Sequence, residues 1–290
     1  MSYLDKLIDD WPLEGSSSLE LFLDAQTLLR ESRNDEIVWS RSRACEAVLE
    51  FCALKHFHFD TAQEPLEQLI DESIRMGIDF YYGDWWHKEN VLKWCHARGF
   101  AEDSLEWKGE PFRCALLADP SKLEPWRSTL SALMLLCTLS GKKDERAKIC
   151  DWFGPDPLPE YSGLYWETEA TTIVLASHLR SKPMLAVNKL IDKITKGKRP
   201  YAHARMRLIE SCFEKNQDAF SAALVESLDL FYKSWKKKEP RTMSCMVAVD
   251  ESTIVAVAQA NGMTLPKLTE KQQWALMTPA SIGLESSQPT

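Results

Sequence analysis

At 290 residues the chain is long enough to enclose one large core or two smaller ones, and 44% hydrophobic with 27% charged residues excludes a disordered or fibrous polymer. The formal net charge of −8 argues against direct binding of nucleic acid. The longest uninterrupted apolar run, 132–137, falls far short of the roughly 20 residues that span a bilayer, so no membrane segment is expected.

The start, Met1-Ser2-Tyr3-Leu4-Asp5-Lys6, lacks the basic region, apolar core and cleavage site of a secretory signal, which predicts a cytoplasmic location. From there, apolar residues recur at helical spacing in segment after segment. Ser17 and Ser18 are suited to cap a helix carrying Leu19, Phe22, Leu23 and Leu29, and Asn34 or Asp35 opens another through Val38, Ala44, Val48, Leu49 and Cys52. A helix over 61–76 follows, with Pro65 in its first turn and Gly77 at its end.

Asp84 caps a predicted helix over 85–98, ended by Gly99. The segment 123–139, ended by Gly141, is the most apolar of the chain and the expected centre of the core. A helix over 144–153 leads into Gly154-Pro155-Asp156-Pro157-Leu158-Pro159-Glu160, where three prolines forbid continued helix and stiffen the connection. The expected organisation is therefore an acidic helical part over 1–153, a Pro-rich connection over 154–163 and a second helical part over 164–290, the two packed as one body. The second part carries predicted helices near 164–179, 183–195, 201–215 and 219–238. The last ends on Lys236, Lys237 and Lys238, cations that suit a helix C-terminus without any ligand. The fold class is all-α: roughly a dozen helices in antiparallel pairs, with little or no sheet.

Charge is unevenly divided. Residues 1–160 carry 30 acidic and 18 basic side chains, whereas 161–290 carry 13 acidic and 17 basic. A field of about −12 over the first part favours a basic partner, although solubility alone also accounts for it. The eight cysteines are scattered through apolar helical stretches with no Cys-x-x-Cys pair. They are expected to be reduced and buried, with no zinc site.

Three constellations invite a chemical reading. His56-Phe57-His58-Phe59-Asp60 has the residue order of a binuclear metal site, yet it ends a helix and lacks a second ligand cluster, so no metal is expected. Tyr81-Tyr82-Gly83-Asp84-Trp85-Trp86-His87 gathers four aromatics at one helix start, a composition shared by binding hot spots and by ordinary core anchors. Tyr165-Trp166-Glu167-Thr168-Glu169, with His178 further along, supplies an acid–base pair only if Glu167 or Glu169 meets His178 in a pocket. No nucleophile elbow, phosphate-binding glycine loop or dinucleotide fingerprint occurs, and no catalytic residue or cofactor is expected.

The C-terminal stretch 244–266 reads as a helix capped by Asp250 or Ser252 and released by Asn261-Gly262. Thr269 with Gln272 forms a capping box, and Thr278-Pro279 starts a last turn. This small-apolar helix, its Asn-Gly stop, the following Leu265-Pro266 and the tail over 276–284 resemble the end of the immunity protein 49 family, an all-helical group of bacterial polymorphic-toxin immunity proteins. Trp166 and Glu169 in a mid-chain helix are similar to residues of a second helical family, which neutralises PoNe-type nucleases. Both resemblances imply a protein that binds a cognate toxin domain stoichiometrically and occludes its active site, with no catalytic residue of its own. The implied partner is basic, nuclease-like or otherwise active in the cytosol.

An aromatic anchor inside an acidic rim then points to Asp84, Trp85 and Trp86, with Asp71, Glu72, Asp156 and Glu160 as rim charges. Homodimerisation stays open. The alternatives are a helical-repeat adaptor with a long concave groove and an enzyme of unfamiliar type built on Glu167, Glu169 and His178.

Overall fold

The computed structural model describes residues 18–33, 38–58, 65–82, 124–152, 166–180, 187–235 and 246–284. Among them the chain forms eleven α-helices and no strand, as the helical spacing predicts. They are α1 (Ser18–Ser32), α2 (Val38–His56), α3 (Leu66–Tyr82), α4 (Glu124–Leu139), α5 (Lys143–Trp152), α6 (Trp166–Leu179), α7 (Val187–Thr195), α8 (Pro200–Phe213), α9 (Gln217–Trp235), α10 (Val249–Ala260) and α11 (Glu270–Trp274). A 3-10 turn at Ala280–Ile282 closes the order, and no described helix is long and apolar enough to cross a membrane.

The other helices are arranged around α4. Leu130, Ala132, Leu133, Met134, Leu135, Leu136 and Cys137 are at most 1% exposed, so over this stretch the helix has no solvent face. A helix that is apolar all round needs cover on every side. That cover comes from α2, α3, α5, α6 and α10. Three of these precede the predicted Pro-rich connection and two follow it, so a single buried cluster spans both parts. The connection itself lies outside the described residues.

Several predicted helix ends are present. Gly141 and Gly262 take φ of 73° and 84°, the left-handed conformation that glycine adopts at least cost after a helix. Thr269 Oγ1 accepts from the Gln272 backbone N–H at 3.3 Å while Gln272 Oε1 accepts from the Thr269 N–H at 3.0 Å, completing the capping box. The described cysteines, Cys45, Cys52, Cys137, Cys150 and Cys212, are free buried thiols. Burial pushes Cys212 up to about 11 and Cys150 up to about 12, so both stay protonated at neutral pH.

Gly77 departs from expectation. It does not end α3, which continues to Tyr82 and places the Tyr82 hydroxyl 2.5 Å from the Lys148 carbonyl of α5. A Cβ at Gly77 would stand 2.9 Å from both methyl carbons of the fully buried Leu133, so the missing side chain is what lets α3 approach α4. Close packing, not termination, explains the residue. Alanine would improve helix propensity by about 1 kcal/mol, but overpacking a filled core costs about 1–3 kcal/mol. Gly77→Ala is therefore expected to lower stability to urea, with Gly77→Val lowering it further; a more stable Gly77→Ala would show that Leu133 moves aside freely.

Candidate functional site

A cleft of about 820 Å³ opens between α1, α2, the start of α3 and the C-terminal 3-10 turn. Its walls are apolar: Phe22 and Phe51 meet with ring centroids 5.6 Å apart, and Leu29, Leu66, Leu69 and Ile282 complete the surface. Leu23, at 49% exposure, stands among these lining residues. The polar lining consists of Gln26, Thr27 and the cations Arg30, Arg33 and Lys55. Among the described residues no carboxylate, imidazole or thiol lines it.

The three cations differ in what they meet. Arg33 grips Glu72 through Nε at 2.9 Å and Nη2 at 2.6 Å, a two-pronged carboxylate contact. Among the described residues no carboxylate pairs with Arg30 or Lys55. The Lys55 stem passes the turn at Gly283, where a Cβ would lie 3.9 Å from Lys55 Cε. An arrangement of apolar walls and two cations that no described carboxylate pairs with suits a ligand that is apolar on one face and acidic at its edges.

Of the predicted rim charges, Glu72 is engaged by Arg33 and Asp71 by Lys142 Nζ at 2.8 Å, both on this chain. Asp84, Trp85, Trp86, Asp156 and Glu160 lie outside the described residues. Glu167 and Glu169 sit in the first turn of α6, and His178 in its last, where the exposed imidazole stacks on Phe213 at 4.4 Å and 12°. The nine residues from Glu169 to His178 correspond to about 14 Å of helix rise.

His56 and His58 serve an aromatic contact. His56 Nε2 lies 2.9 Å from the Trp274 carbonyl, which selects the Nε2–H tautomer, while the Phe57 ring stacks on Trp274 at 5.9 Å and His58 meets its edge. Asp60 lies outside the described residues, and among those described no group of three His, Cys, Asp or Glu could hold a metal ion. His56 Nδ1 is buried without a hydrogen-bond partner, and burial of the ring lowers its pKa from the ordinary 6.5. The unfolded chain thus takes up a proton at a higher pH than the folded one. This contribution to stability is complete above about pH 6.5 and is lost as the pH falls below it. Gln at this position can still donate to the Trp274 carbonyl but does not titrate, so His56→Gln should lose less stability than the wild type between about pH 7.5 and about pH 5.5 in urea melts.

A second polar centre, missed as such in the sequence, joins α6, α8, α9 and α10. Asp250 does not cap α10, whose N-cap is Ala248 with no side-chain cap bond, and neither does Ser252. Asp250 and Glu251 instead turn inward, at 5% and 1% exposure, onto the equally buried Arg205. Arg205 Nη2 pairs with Asp250 Oδ2, and Nε lies 3.6 Å from Glu251 Oε1. Thr172 donates to Asp250 at 2.6 Å and Ser227 donates to Glu251 at 2.7 Å, while burial and the nearby Glu251 carboxylate raise the Tyr201 phenol well above its usual pKa. Two carboxylates therefore share one guanidinium, with two hydroxyl donors and the positive end of α10 supplying further stabilisation.

The available clue was two adjacent acids opening a helix rich in small and branched apolar residues, of which Ile254, Val255, Val257 and Ala258 are buried. Asp250 Oδ1 has no described partner, which leaves the centre intolerant of losing its cation. Arg205→Met should destabilise the fold by about 3–5 kcal/mol. Adding Asp250→Asn and Glu251→Gln should recover part of that loss in urea melts, and a triple variant no better than the single one would show that charge is not the cause.

No family model, curated protein or solved structure matches this chain.

Proposed function

We propose that the chain neutralises a toxin domain by binding it stoichiometrically and blocking access to its active site. The observation that carries this reading is the acidic surplus of residues 1–160, 30 acidic against 18 basic side chains. The tail over 276–284, through which the chain resembles the immunity protein 49 family, also supports it. The acidic balance of residues 1–160 supports a basic partner of the kind found among nucleases, since complementary potentials steer association.

Asp84, Trp85 and Trp86 remain the proposed anchor, with Asp156 and Glu160 at the rim. Asp71 and Glu72 join them by exchanging Lys142 and Arg33 for cations of the toxin, a low-cost exchange because exposed ion pairs contribute only about 0–1 kcal/mol. Purifying the tagged chain from its native host is expected to recover one toxin-like protein at equal stoichiometry, in a complex that associates more slowly as salt rises. Deleting the chain's gene should arrest growth only while that toxin is present. Growth unaffected by the deletion in cells producing the co-purified protein, or recovery of no such protein, would overturn the reading.

A further inference from the structure

We infer that the cleft beside α1 is a docking groove for an acidic amphipathic helix of a partner protein, one with an apolar stripe and a carboxylate toward each end. Phe22, early in α1, meets Phe51, late in α2, and only residues 33–37 lie between the two helices, so they run antiparallel. That course separates the two cations of the lining that no described carboxylate pairs with. Arg30 lies eight residues beyond Phe22 toward one end, about 12 Å of helix rise, and Lys55 lies four residues beyond Phe51 toward the other, about 6 Å. They are therefore spaced roughly 18 Å apart along the groove, for two anionic groups and not one. About twelve residues of α-helix span the same length.

Between these ends the surface is apolar. Phe22, Phe51, Leu66 and Leu69 form the kind of wall against which side chains at i, i+3, i+4 and i+7 of a helix dock. Leu23 and Tyr82 are the large apolar side chains that the described residues leave exposed, and Leu23 stands at this cleft. The third cation, Arg33, is neutralised by Glu72, and no described carboxylate enters the lining. The groove thus presents two positive charges to its occupant, which selects acidic ends and rejects basic ones. A basic domain drawn to the acidic surface and an acidic helix seated in this cleft are separate contacts, and each can exist without the other.

The test titrates the full chain into a fluorescein-labelled synthetic peptide of about twelve residues, read by fluorescence polarisation. The peptide carries leucines at i, i+3, i+4 and i+7, alanine and glutamine between them, and glutamates at both ends. It should bind at low salt and lose affinity as salt rises. A version with lysines at both ends should bind roughly tenfold more weakly, and one with serines in place of the leucines should not bind. Arg30→Glu with Lys55→Glu should reverse the preference between the two charged versions, with unchanged amide exchange in α4 as the control for an intact fold. Zero-length carbodiimide should couple Lys55 to a glutamate of the bound peptide. No binding of the glutamate-ended peptide, equal binding of both charged versions, or an unaltered preference in the double variant would overturn the proposal. So would sedimentation of the free chain as a dimer that the double variant dissociates, in favour of a second copy in the cleft.

Discussion

Three consecutive residues at the start of α10 carry the contacts on which the rest depends. Asp250 and Glu251 fasten α10 to Arg205 of α8, to Thr172 of α6 and to Ser227 of α9. Ser252 accepts the Met277 backbone N–H at 3.0 Å and so anchors the C-terminal tail to the same turn. Apolar burial alone would hold these helices together but not in one register, because dispersion and desolvation are not directional. A buried ion pair restricted to one geometry supplies the direction. The tail anchored by Ser252 continues to Ile282 and Gly283, so the polar centre helps to position one wall of the cleft. The His56 bond to the Trp274 carbonyl provides a second tie, from α2.

Much of the architecture was legible because its determinants are local. The position of α4 followed from an apolar run too long to leave a wet face, and its end from Gly141. The capping box of α11 needs only Thr269 and Gln272, three residues apart, and both of its bonds are formed. Features set by distant residues were not legible in this way. Gly77 has the appearance of a helix stop in the sequence, and only the approach of Leu133, 56 positions later, explains it. Asp250 occupies a reasonable capping position, yet a guanidinium 45 positions earlier offers a stronger partner inside an apolar shell than a backbone N–H does.

The same distinction separates the predicted site from the cleft. Sequence reasoning favours dense local clusters such as the aromatics around Asp84, because their chemistry is visible within a few residues. The cleft draws on α1, α2, the start of α3 and a turn more than 200 positions further on, and it contains no residue type that announces chemistry. Its lining is mostly Phe, Leu, Ile, Arg and Lys, which on any one helix reads as an amphipathic face. Only the juxtaposition gives these residues a role. Asp71 and Glu72 show the converse: their acidity was legible, but the cations just after α1 and at the α4–α5 junction that hold them were not.

The acidic first part and the cationic cleft do not contradict each other, because they act at different ranges. In physiological salt, charges are screened over about 8 Å, so an approaching partner responds to the summed field of many exposed carboxylates. A group already seated between Phe22, Phe51 and Leu69 responds chiefly to Arg30 and Lys55, whose interactions strengthen as apolar walls exclude water.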